Sequence, residues 1–154
     1  MTGQIDARLA ELGITLPDAP APAAAYVPYV VTGDLVFISG QISMDADGLR
    51  TGKVGKGVST EQAKDAARLC GLALLAQLKN AAGGDLDRVA QVVKLTGFVN
   101  AVPKFADHPE VINGASELMA EVFGDKGQHA RAAVGSSSLP RNVQVEVEGI
   151  FRLA

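Results

Sequence analysis

The sequence has no tryptophan, a single cysteine, and aromatic residues at only 5% of its length. One thiol, Cys70, excludes an intrachain disulfide and leaves no material for a CxxC redox or zinc motif. His108 and His129 are the only histidines, without HxxxH spacing, so no metal site is expected. No apolar run approaches the ~20 residues that a bilayer span needs. The opening residues Met1–Asp6 carry no basic segment leading into an apolar one, unlike a secretory leader. A cytoplasmic protein without membrane association is the expectation. Basic residues are also few: 14 Lys and Arg face 17 Asp and Glu, a formal charge of −3. With no cationic stripe, nucleic acid is not an expected partner.

The 154 residues, 47% hydrophobic and 20% charged, fit one globular unit. A chain of this length buries roughly 70% of its unfolded surface. With so few aromatics, the core must come from Ala, Val, Leu and Ile. Ile5, Leu9 and Leu12 stand at helical spacing, and Gly13 is a C-cap signal. Leu16 to Pro22 holds Pro17, Pro20 and Pro22, which reads as an extended connector. Residues 1–23 are therefore taken as an N-terminal extension and 24–154 as the main domain.

Tyr26–Thr32 and Leu35–Ser39, separated by Gly33-Asp34, predict a β-hairpin. Asp45–Gly48 reads as a turn and Gly52–Val58 as a glycine-rich loop. Ser59 and Gln62 form a capping-box pattern ahead of a helix whose apolar face is Ala63, Ala66, Ala67, Cys70, Leu74 and Leu78. Cys70 is expected in the core. Gly83-Gly84 ends that helix, and Val89–Val99 predicts a strand. Pro109 suits the first turn of a second helix with Val111, Ile112, Ala115, Leu118, Met119 and Val122 buried. Strands at about Ala130–Ser137 and Val143–Leu153 close the chain. The expected class is α+β, with two main helices on one face of a mostly antiparallel sheet. The other face needs its own cover, so self-association is inferred.

Three stretches carry a family likeness. Pro28-Tyr29-Val30 precedes Leu35–Ile42, which contains Ser39-Gly40-Gln41. Lys94–Asn113 runs from a strand into a helix. Ala130-Arg131-Ala132-Ala133-Val134 is followed by Leu139-Pro140 and Val145-Glu146-Val147-Glu148. From about residue 24 onward the chain resembles the RidA/YjgF family, and the first 23 residues resemble its longer branch. The resemblance implies a chorismate-mutase-like fold, a homotrimer with clefts at the subunit interfaces, and no cofactor. It also implies hydrolytic deamination of reactive enamines and 2-imino acids to 2-keto acids and ammonia. The alternative within the same fold is a non-catalytic module that binds a small carboxylate or keto acid. Some relatives are labelled ribonucleases; the acidic balance and the absence of a histidine pair argue against that activity.

The family's essential arginine falls on Arg131. A planar guanidinium holds a carboxylate by two parallel hydrogen bonds; the plain reading is a solvated strand-edge arginine or one paired with Glu146. Glu146 matches the acid that positions the attacking water, with Glu148 two residues on along the same face as its control. Ala133 stands where short relatives often carry cysteine, and its carbonyl is expected at the water. Tyr29 is either a pocket residue or a packing residue. Ser39 and Gly40 are expected to wall the pocket, with a bulge as the plain reading of Gly40. Asn113 matches a family asparagine near the cleft and otherwise reads as a helix-surface amide. His129 shares a strand face with Arg131 and either lines the pocket or caps the loop after Gly127. His108 reads as a helix-entry residue.

Overall fold

The computed structural model describes residues 3–22 and 24–154. Met1, Thr2 and Ala23 lie outside the described residues, and with them part of the leader reading and the extension's boundary at residue 23.

The extension begins with helix α1 (Gln4–Glu11). Its N-terminal amides are held from outside the helix: Gln4 N and Ile5 N donate to the two carboxylate oxygens of Asp87 at 2.9 and 2.8 Å. The two bonds satisfy two of the orphan N–H groups that every helix start leaves. Asp87 is correspondingly held below the usual carboxylate range. Leu9 is buried, Lys79 pairs with Asp6 at 3.2 Å, and Gly13 reverses the chain with a φ of 69°. The proline-rich connector is pinned by buried Gln77, which donates to Pro20 O at 2.7 Å.

The hairpin forms as β1 (Tyr29–Thr32) and β2 (Leu35–Ile42). The first strand is shorter than the sequence predicts, starting after Pro28, which has no N–H to give a ladder. The second is longer, continuing through a register shift between Ile38 and Gln41. Short ladders follow: β3 (Met44–Asp45) with β4 (Gly48–Leu49), and β5 (Lys53–Val54) with β6 (Gly57–Val58). Helix α2 (Thr60–Ala81) starts with both bonds of the Ser59–Gln62 capping box in place. Then come β7 (Val89–Asn100), α3 (His108–Phe123), β8 (Ala130–Ser136) and β9 (Val145–Leu153).

The main sheet has the order β1-β2-β9-β7-β8. All pairings are antiparallel except β7 with β8, which is parallel. Helices α2 and α3 pack on one face, over Val36, Ile38, Leu95, Val99, Val145, Val147 and Phe151. The helices approach each other closely at glycines. A Cβ on Gly114 would strike the backbone carbonyl of Lys64, and one on Gly71 would meet Leu118 Cδ2 at 2.9 Å. Cys70 lies wholly buried between α2 and β9, its thiol directed at Val145 O, and burial pushes the thiol pKa well up.

No helix among the described residues is long and apolar enough to cross a membrane. Along β9 the buried residues alternate with Glu146, Glu148, Ile150 and Arg152, which point to the face without helices. Val30 and Phe37, opposite each other on β1 and β2, share that face and are 53% and 42% exposed; Val134 on β8 is 44% exposed.

Candidate active site

Arg131 sits on β8 opposite Leu95, a core residue of β7, so its side chain leaves the helix-covered face at the edge of the sheet. There it meets α3. Nη1 donates to Asn113 Oδ1 at 2.7 Å and to Ser116 Oγ at 3.2 Å. Asn113 and Ser116 are three residues apart, hence neighbours on one helix face. Among the described residues neither Nε nor Nη2 has a hydrogen-bond partner. A guanidinium tied down through one nitrogen, with its Nε–Nη2 edge open, has the donor geometry that grips a carboxylate.

His129 joins the same cluster. Its Nε2 lies 2.8 Å from Ser116 Oγ and its Nδ1 2.6 Å from Gly127 O. A carbonyl only accepts, so Nδ1 carries the proton. In the neutral ring Nε2 then accepts the Ser116 hydroxyl, whose oxygen lone pairs are left for Arg131. His129 thus ties the loop at Gly127 and reaches the arginine through Ser116. Ala133, two residues along the strand from Arg131, is half-buried and packs against the core.

Glu146 lies elsewhere. It sits opposite Phe98 on β7 and Ile42 on β2, between the core residues Val145 and Val147, and so points from the face without helices. Gly40 is its immediate neighbour: a Cβ there would stand 2.9 Å from Glu146 Cδ and closer still to Oε1. Gly40 belongs to the bulge that shifts the register of β2. Burial pushes the Glu146 carboxyl above its ordinary range, and the charge of Glu148 on the same face adds to that shift. Ser39 Oγ donates to Val27 O at 2.7 Å, which fastens the approach to β1. Tyr29 pairs opposite Ile38 and is half-buried against the core, a packing contact on the helix side.

Apart from Tyr29, the predicted residues thus fall into two groups. Arg131, Asn113, His129 and Ala133 gather at the β8–α3 edge. Glu146, Gly40 and Ser39 gather on the open face. Arg131 and Glu146 leave opposite faces of one sheet, and among the described residues no ion pair joins them; of the two plain readings of Arg131, the pairing with Glu146 is not formed, while the strand that carries it is an edge strand. Asn113 is not a free surface amide, because it holds the guanidinium. His108 opens α3, and its ring meets Phe105 edge-on at 5.1 Å between centroids. Among the described residues no group of three or more His, Cys, Asp or Glu side chains is placed to hold a metal. Ser116 was not singled out from sequence, although its i+3 spacing from Asn113 was the signal that could have found it.

A five-stranded sheet carrying two helices on one face, with a tethered arginine at its edge, defines the class of protein. A family model described as "YjgF/chorismate_mutase-like, putative endoribonuclease" matches residues 6–151, and the chain belongs to that family. It is 46% identical over 154 residues to Protein TCP17 of Trypanosoma cruzi, covering 99% of this chain and 96% of that protein. It is 30% identical to a 2-iminobutanoate/2-iminopropanoate deaminase of Dermatophagoides farinae, with 89% and 92% covered. The crystal structure of protein Atu1372 from Agrobacterium tumefaciens, described as of unknown function, superposes with a TM-score of 0.90 at 48% identity. That match covers 97% of this chain and 92% of the other.

Proposed function

We propose that the chain hydrolyses small 2-imino acids to 2-keto acids and ammonia, at a site completed between copies of itself. The observation that carries the reading is the open Nε–Nη2 edge of Arg131, held in place from behind by Asn113 and Ser116. An imino acid offers it a carboxylate. The deaminase name of a relative spanning most of the chain supports the substrate class.

The chemistry needs one water and one proton carrier. The Glu146 carboxylate takes a proton from the water as the water oxygen bonds to the imine carbon, the C=N electron pair passes to nitrogen, and Glu146 returns that proton to the nitrogen. The resulting carbinolamine loses ammonia as the carbonyl forms, with the second oxygen proton passing through Glu146 to the leaving nitrogen. The raised pKa of a half-buried Glu146 suits a group that must both take and return a proton.

Arg131 and Glu146 leave opposite faces of the sheet, so one substrate reaches both only when the β8–α3 edge of one copy meets the open face of another. Exposed Val30, Phe37 and Val134 supply apolar surface for that meeting. A homotrimer closes the arrangement with three equivalent sites.

The test is complementation. Arg131→Ala and Glu146→Gln are each inactive alone against 2-iminobutanoate generated in situ by an amino-acid oxidase. Equimolar co-expression regains about a quarter of wild-type activity, because a shared site is intact only when an Arg131 donor meets a Glu146 donor. No regain in mixed oligomers refutes the shared site. No turnover by folded wild-type protein refutes the deaminase reading. Binding of 2-oxobutanoate without turnover would then favour a carboxylate-binding module.

A further inference from the structure

We infer that Ser116 and His129 act as a pair of positioning residues that fix the gripping edge of Arg131. The inference rests on the reading of Arg131 as a carboxylate clamp.

A guanidinium on a long side chain samples many rotamers, and a clamp works only when they are restricted. Asn113 alone holds one proton of Nη1. The second bond, to Ser116 Oγ, stops rotation about the Cζ–Nη1 direction and turns the Nε–Nη2 edge away from α3. A serine hydroxyl is a poor anchor by itself, since its proton can turn toward the arginine and oppose the contact. His129 Nε2, 2.8 Å from Oγ, takes that proton and commits the oxygen's lone pairs to Arg131. His129 is oriented in turn by Gly127 O at 2.6 Å. Gly127 is itself fixed, because a Cβ there would stand 2.7 Å from Met119 C in α3. The chain of donors runs one way, from Arg131 to Ser116 to His129 to Gly127, and each step leaves the next group one role.

His129→Asn separates this role from a structural one. The Asn amide reaches Gly127 O from the Nδ1 position, so the loop stays tied, but it has no atom at the Nε2 position for Ser116. Affinity for 2-oxobutanoate is measured by calorimetry, alongside KM and kcat for 2-iminobutanoate and the melting temperature. Ser116→Ala and His129→Asn each weaken 2-oxobutanoate binding and raise KM about tenfold, the effect of one hydrogen bond to a charged group, with kcat changed less than about twofold. Ser116→Thr, which keeps the hydroxyl, restores binding. The double variant Ser116→Ala/His129→Asn is no weaker than Ser116→Ala alone, since His129 acts through Ser116.

Normal affinity in Ser116→Ala, or a His129→Asn effect that persists undiminished without the serine, overturns the inference. A wild-type protein that binds 2-oxobutanoate through Arg131 but turns over no imine removes the deaminase reading and leaves the positioning test standing. A wild-type protein that binds no carboxylate overturns both.

Discussion

Gly40→Ala separates the site from the fold. Gly40 has no positive φ, so alanine meets no backbone penalty there. Its new methyl would stand 2.9 Å from Glu146 Cδ, about 0.5 Å inside the 3.4 Å at which ordinary contact begins, and the overlap with Oε1 is larger. What must yield is the far end of a flexible side chain on a face without helices. The folding cost should therefore stay below about 1 kcal/mol, a loss of no more than about 4 °C in melting temperature. The carboxylate, however, must move by 0.5–1 Å, and misplacing a reacting group by about 1 Å costs up to 10²-fold in rate. The expected result is a kcat/KM for 2-iminobutanoate lowered about 10- to 100-fold in a protein that melts almost normally. Gly114→Ala is the opposite case: its methyl strikes the Lys64 carbonyl, with Lys64 C at 3.0 Å and Arg68 N at 3.1 Å, all backbone atoms of the helix crossing. Overpacking of that kind costs about 1–3 kcal/mol or more and lowers the melting temperature first. Steady-state kinetics and calorimetric melting of both variants decide the matter. Wild-type activity in a stably folded Gly40→Ala protein refutes the assignment of Glu146 to the chemistry.

Two further outcomes concern pH. Glu148→Gln removes the like charge that helps hold the Glu146 carboxyl up, so the Glu146 pKa falls and the acid limb of the kcat/KM profile moves to lower pH; an unmoved limb counts against Glu146 as the proton carrier. Asp87 has its pKa depressed by the amides of Ile5 and Gln4, so its contribution to holding α1 is complete above the ordinary carboxylate range and is lost as pH falls through its folded value. Limited proteolysis of the 14–22 connector should accelerate on acidification, and Asp87→Asn should show fast cleavage already at neutral pH; equal cleavage rates in both proteins refute the tether.

Much of the fold was legible because local signals and tertiary packing agree. The capping box at Ser59, the glycines at 83 and 84, and the apolar stripes of α2 and α3 lie where the sequence puts them. Alternation of Val145 and Val147 with Glu146 and Glu148 matches the burial along β9, although the strand begins at Val145 rather than Val143 and Gln144 is buried. Three features escaped. The parallel pairing of β7 with β8 is a matter of which neighbour a strand chooses across α3, and periodicity within a strand says nothing of its partner. The placement of Arg131 and Glu146 on opposite faces depends on that same choice. Alternation fixes each residue's face within its own strand but not the relation between strands. Ser116 escaped for a different reason: a serine on a helix is common, and only the side chains of His129 and Arg131 converging on it give it a role.

The burial of Cys70 has a practical consequence. The sole thiol of this chain lies between α2 and β9 with its pKa pushed up, so it is present neither as an accessible sulfur nor as the thiolate that reacts with alkylating reagents. The wild-type protein therefore offers a silent background for maleimide chemistry. A cysteine introduced at Asp65, exposed on α2 away from the open face of the sheet, would be the one position to take a fluorophore or a spin label. Distances between labels in an assembled particle would then report its geometry directly, without first removing a native thiol and disturbing the core.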